Sequence, residues 1–133
     1  MSPNRLSKLT IVLVDDNPDV RRHVSAYLSH LGVRVAVADN AIEGLEAVKT
    51  YRPNLVLSDI SMPGRDGFEL LCDIQALEPD GSDGRGRVPV IAMTALVTHL
   101  DRARILNAGF KALLPKPFTP ETLVKTILRA LDD

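Results

Sequence analysis

Tryptophan is absent from the 133-residue chain, and aromatic residues make up only 4% of it. The interior must therefore be filled by Val, Leu, Ile and Ala, the usual filling of a parallel sheet between helices. A single cysteine, Cys72, excludes an internal disulfide. It falls in a helical pattern and reads as buried and inert, which suits a reducing compartment. Net charge is −1 and no basic stripe is present, so direct nucleic-acid binding has no support. No apolar run approaches membrane-spanning length. Residues 1–8 are polar and lack the apolar centre of a signal peptide. These absences predict a cytoplasmic protein with no membrane attachment. The length suits one domain, 9–133, after a poorly ordered tail, 1–8.

What is present is an alternation of short apolar runs and helical patterns. Strands are predicted at Thr10–Val14, Val33–Val37, Leu55–Ser58, Val88–Met93 and Ala112–Leu114. A helix follows each. The first has Asn17 as N-cap, Pro18 at its first position and Gly32 as its stop. Its apolar stripe is Val20, Val24, Tyr27, Leu28 and Leu31. The second opens on the capping-box spacing Asn40–Glu43, with the stripe Ile42, Leu45 and Val48 and a block at Pro53. The third runs from about Gly67 to Leu77, and the fourth from about Thr98 to Ala108 before Gly109. The fifth opens at Thr119-Pro120-Glu121 and carries Leu123, Val124, Ile127, Leu128 and Leu131. The Gly-rich polar segment Glu78 to Arg87 reads as a mobile loop without a chemical role.

Five strand–helix units imply right-handed crossovers and an α/β fold with helices on both faces of a parallel sheet. The length suits the flavodoxin-like doubly wound order 2-1-3-4-5. Strands one and three are then neighbours at the switch point, and Asp15, Asp16 and Asp59 meet at the carboxyl edge. Three carboxylates cannot all stay ionised there without a cation. One lysine, Lys116, does not balance them. A hard divalent ion on carboxylate and phosphate oxygens does, which points to magnesium and a metal-assisted phosphoryl site.

These residues resemble the receiver domain of two-component response regulators. The family pattern is an acidic pair after strand one and an acceptor Asp after strand three. Ser or Thr follows strand four, and Lys-Pro follows strand five. Asp15-Asp16, Asp59, Thr94 and Lys116-Pro117 stand in that order. The stretch from Asp59 to Gly67, with Met62-Pro63-Gly64 and Asp66-Gly67, matches the loop after the acceptor. Ala95, Ala108-Gly109-Phe110 and Phe118 also fit.

The resemblance implies that Asp59 takes a phosphoryl group from a histidine kinase or histidine phosphotransfer protein. Magnesium is then held by Asp16, Asp59 and the backbone carbonyl of Ser61, with Asp15 acting through water. Lys116 and the Thr94 hydroxyl bind phosphoryl oxygens, and the Lys116–Pro117 bond is cis. The chain is on this reading a stoichiometric phosphoacceptor that catalyses its own phosphorylation and dephosphorylation, not a turnover enzyme. It answers to an output partner through the face of the fourth helix, fifth strand and fifth helix. It stands alone or belongs to a longer protein such as a hybrid kinase.

One position departs from the pattern. Three residues before the lysine the family often has an aromatic ring, and here there is Leu113. The switch is therefore expected to travel through the Ala95–His99 segment. Two other readings use the same fold. An aspartyl phosphatase needs a cap domain, which no insertion here supplies. A flavin carrier needs a Ser, Thr and Gly-rich loop after strand one, where this chain has Asp15-Asp16-Asn17-Pro18. His23, His30 and His99 read as ordinary surface histidines.

Overall fold

The computed structural model describes residues 6–77, 87–95 and 98–132. Five parallel strands are β1 (Thr10–Val14), β2 (Arg34–Ala38), β3 (Leu55–Asp59), β4 (Val90–Thr94) and β5 (Ala112–Pro115). They form one sheet in the order β2-β1-β3-β4-β5. The helices are α1 (Pro18–His30), α2 (Ala41–Tyr51), α3 (Gly67–Leu77), α4 (His99–Ala108) and α5 (Pro120–Asp132). The fold is flavodoxin-like and doubly wound, as the sequence pattern predicts.

Alternate strand residues point to opposite faces, and each face builds its own core. Ile11, Leu13, Leu55, Leu57, Ile91 and Met93 pack with Val24 and Leu28 of α1 and Leu123, Ile127 and Leu128 of α5. Val12, Val14, Val56, Val90 and Ala92 pack with Ala41 and Val48 of α2, Leu70, Leu71 and Ile74 of α3, and Ile105 of α4. Both faces of β3 and β4 are covered, which is why these strands are unbroken apolar runs.

Helix ends follow local chemistry. The Asn17 side chain accepts from the N–H groups of Asp19 and Val20, and Asn40 accepts from Glu43. Thr98 accepts from the Asp101 N–H at 3.1 Å, and so caps α4 rather than opening it. At α3, Asp66 and Glu69 cap each other's N–H groups reciprocally, at 3.0 and 2.9 Å. Gly109 ends α4 in the left-handed region at φ 117.

Three expectations are corrected. Leu6, expected in the poorly ordered tail, is buried in the α1/α5 core, and its carbonyl accepts the Leu9 N–H. Cys72 is exposed, because α3 buries Leu70, Leu71 and Ile74 on the other side. Ile42 is 67% exposed, and the buried line of α2 is Ala41, Gly44 and Val48. The large side chain was the wrong marker: α2 lies so close to the sheet that a Cβ at Gly44 meets a Val14 methyl at 2.8 Å. Strand boundaries at β2 and β4 differ by one or two residues. The segment 78–86 lies outside the described residues.

The loop after β3 is folded back tightly. The Gly67 N–H donates to the Ile60 carbonyl at 2.9 Å. Arg65 grips Asp73 of α3 through two hydrogen bonds, at 3.1 and 3.0 Å. A Cβ at Gly67 meets the Asp59 carbonyl oxygen at 2.5 Å and Ile60 Cα at 2.8 Å. Both obstacles are backbone and cannot rotate away. Gly67→Ala is expected to destabilise the protein by about 1–3 kcal/mol, the usual range for overpacking, read from the urea midpoint. An unchanged midpoint refutes this account of the loop.

Candidate functional site

The order β2-β1-β3-β4-β5 brings the ends of β1, β3, β4 and β5 to one edge, the usual place for ligands in an open α/β sheet. Asp15 and Asp16 follow β1, Asp59 and Thr94 end β3 and β4, and Lys116 follows β5. One carboxylate oxygen from each of Asp15, Asp16 and Asp59 lies within 4.8 Å of the others. Lys116 Nζ donates to Asp15 Oδ2 at 2.9 Å and stands 3.5 Å from Asp59 Oδ1. The Lys116 N–H donates to the Thr94 carbonyl at 2.8 Å, which ties these two residues together. The Lys116–Pro117 bond is cis. Asp15, Asp16, Asp59 and Lys116 thus stand together at this edge, with the Thr94 backbone tied to Lys116.

The two members of the acidic pair are not equivalent. Asp15 is fully buried (0% exposed) and each of its acceptors is used. Oδ1 takes the Asn17 N–H at 2.9 Å, Oδ2 takes Lys116, and the backbone carbonyl takes Arg21 Nη1 at 2.8 Å. Asp16 is exposed, and its side chain bonds no other described residue. Arg21 was not singled out by the sequence. Its signal is faint: one arginine on the first turns of a helix, six residues past the carbonyl it holds.

Asp59 has its pKa pushed up from 3.8 to about 6. Burial is the main cause and the charge of Asp15 adds to it. The Lys116 charge and hydrogen bond, and the Ser61 N–H, work the other way and do not win. For Lys116 burial favours the neutral form, but the hydrogen bond and charge of Asp15, and then of Asp59, outweigh it and raise its pKa. Three carboxylates stand here beside one lysine among the described residues. Their hard, clustered oxygens fit a divalent cation such as magnesium.

Leu113 is half-buried and packs against the core beneath α2–α4. The Ala95–His99 segment expected to carry the switch includes residues 96 and 97, which lie outside the described residues. His23, His30 and His99 are all exposed. No described helix is long and apolar enough to cross a membrane.

The parallel five-stranded sheet and the acidic crevice at its carboxyl edge define a doubly wound α/β protein with its site at the topological switch point. A family model of the response regulator receiver domain matches residues 11–128. The chain is 38% identical over 122 residues to an uncharacterised 14.6 kDa protein of Leptolyngbya boryana, covering 92% of this chain and 89% of that one. It is also 38% identical over 124 residues to response regulator Rre1 of Synechocystis, covering 92% of this chain and 51% of that one. The chain thus spans about half the length of Rre1. In structure it matches the receiver domain of sensor histidine kinase PA1611 of Pseudomonas aeruginosa, which carries magnesium in its active-site cleft. That match has TM-score 0.81 and 34% identity, over 94% of this chain and 98% of that one. The chain belongs to the response regulator receiver domain family of two-component systems.

The raised pKa of Asp59 has a consequence for stability. The folded pKa of about 6 lies above the unfolded value of 3.8. The folded state thus holds the Asp59 proton more tightly, and that contribution is lost as pH rises from about 4 to 6. Asp59→Asn removes this loss. In metal-free buffer the variant should gain urea stability over the parent on going from pH 4 to pH 7. An equal difference at both pH values contradicts the assigned burial and charge.

Proposed function

We propose that this receiver takes a phosphoryl group onto Asp59 from a phosphohistidine on a kinase or phosphotransfer partner, and that magnesium assists. The observation that carries the reading is the cluster of Asp15, Asp16 and Asp59 with Lys116 beside Asp59.

An oxygen of the Asp59 carboxylate attacks phosphorus as the phosphorus–nitrogen bond of the donor breaks, and the imidazole leaves. An acyl phosphate on Asp59 results. Asp16 and Asp59, with the Ser61 carbonyl, would hold the magnesium, which when bound would supply neutralising charge for the transfer. Lys116 is within reach of Asp59 and meets a second phosphoryl oxygen as a compact cation. The Thr94 hydroxyl, at the end of buried β4, donates to a third. Asp15 remains bonded to Lys116 and keeps the ammonium aimed into the crevice. Positioning and charge stabilisation account for the rate, as in phosphoryl transfer generally.

The product is a stoichiometric phosphoprotein whose phosphoryl group is lost again at the same site. The output surface is the α4–β5–α5 face, which turns Leu100 to solvent at 85% exposure. Half-buried Leu113 offers no polar tip to choose between inward and outward positions. The signal therefore runs through the end of β4 and the start of α4.

Incubation with magnesium and a small-molecule phosphodonor should add one phosphoryl group per chain, read by intact-mass spectrometry. Asp59→Asn should add none. Labelling of that variant equal to the parent removes Asp59 as the acceptor. Many turnovers on phosphate esters at one chain equivalent instead favour a phosphatase.

A further inference from the structure

Asp16 must serve as a magnesium ligand from an exposed position, with no described neighbour fixing its side chain. Its orientation has to come from the main chain. The peptide that joins Asp15 to Asp16 is planar, so the direction of the Asp15 carbonyl fixes the plane from which the Asp16 Cα departs. That carbonyl is held by one side chain, Arg21, whose Nη1 donates to it at 2.8 Å. Arg21 is itself half-buried, on the second turn of α1. The other end of Asp15 is fixed independently by the Asn17 N–H and Lys116.

From this geometry we infer that Arg21 is a positioning residue: by clamping the Asp15–Asp16 peptide plane it presents the Asp16 carboxylate for metal binding. The inference rests on the magnesium reading above and adds to it a residue that touches neither metal nor phosphate.

Two physical accounts of Arg21 predict opposite signs. As a mere charge, its guanidinium opposes a dication nearby, so removing it tightens magnesium binding. As a clamp, its removal frees the peptide plane and weakens binding. Partners that orient metal ligands typically matter by about 10- to 100-fold in affinity. Arg21→Met keeps the aliphatic stem and its packing but deletes donor and charge. Arg21→Lys keeps the charge and one donor group able to reach the same carbonyl.

The test is calorimetric titration of the full chain with magnesium chloride at fixed ionic strength, beside urea unfolding without metal. The Met variant should show a dissociation constant raised by about 10-fold at an essentially unchanged metal-free urea midpoint. The Lys variant should fall between it and the parent. A Met variant that binds magnesium as tightly as the parent, or more tightly, overturns the clamp. So does a Lys variant no better than Met. A parent that takes up no magnesium overturns the magnesium reading itself, and the role of Arg21 with it. A parent that binds beside an unaffected Met variant overturns Arg21 alone.

Discussion

Asp15 is a carboxylate with no exposure to water, seated at the edge of a sheet beside two further acids. Left without partners, an ionised carboxylate in such a place is among the most costly groups a fold can contain. Two donors from distant parts of the chain offset that cost: the Asn17 N–H at the start of α1 meets one carboxylate oxygen, and Lys116, 101 residues away, meets the other. The Lys116 contact forms only once β5 has joined β4 at the far side of the sheet. The strand order is thus written into one ion pair. A different order leaves a buried anion with no cation. The same lysine then stands within 3.5 Å of Asp59, so the interaction that makes the fold tolerable also equips the site.

That arrangement separates two kinds of acid which look alike in sequence. Both carboxylate oxygens of Asp15 have partners, whereas the Asp16 side chain bonds no other described residue. Asp59 lies between the extremes. It is buried enough to disfavour its charge, yet the Lys116 ammonium 3.5 Å away and a Ser61 N–H favour the charged form.

Most of this was legible from residue order. Strand runs of Val, Ile and Leu ending in Asp, Thr or Lys mark both sheet and site, because burial on two faces leaves no polar alternation to confuse the reading. The stops at Gly32 and Gly109 and the caps at Asn17 and Asn40 are local signals with local causes, and they hold. The misreadings share another cause. Ile42 and Cys72 were assigned by residue type, but burial is decided by which side of a helix faces the sheet and how near it comes. The spacing of Ala41, Gly44 and Val48 carries that information, and small residues there mean close approach. Leu6 was lost in a polar stretch, since one apolar residue makes no pattern. Arg21 was lost because its partner is a carbonyl, and every residue has one.

Helix α4 is attached differently from its neighbours. It buries Ile105 alone, where α3 and α5 each bury four residues and α2 three. Beyond that anchor, Arg104 lies 4.3 Å over the ring of Phe68, which meets Phe110 edge-on at 5.6 Å. Phe68 directly follows Gly67, the residue pressed against the backbone of Asp59 and Ile60. Ile105 belongs to the core beneath α2–α4, but it is the one buried residue holding α4 there, so less apolar surface anchors α4 than anchors α3 or α5. This lightly anchored helix is fastened, through one stacked guanidinium, to the first turn of α3, beside the glycine that sits against Asp59.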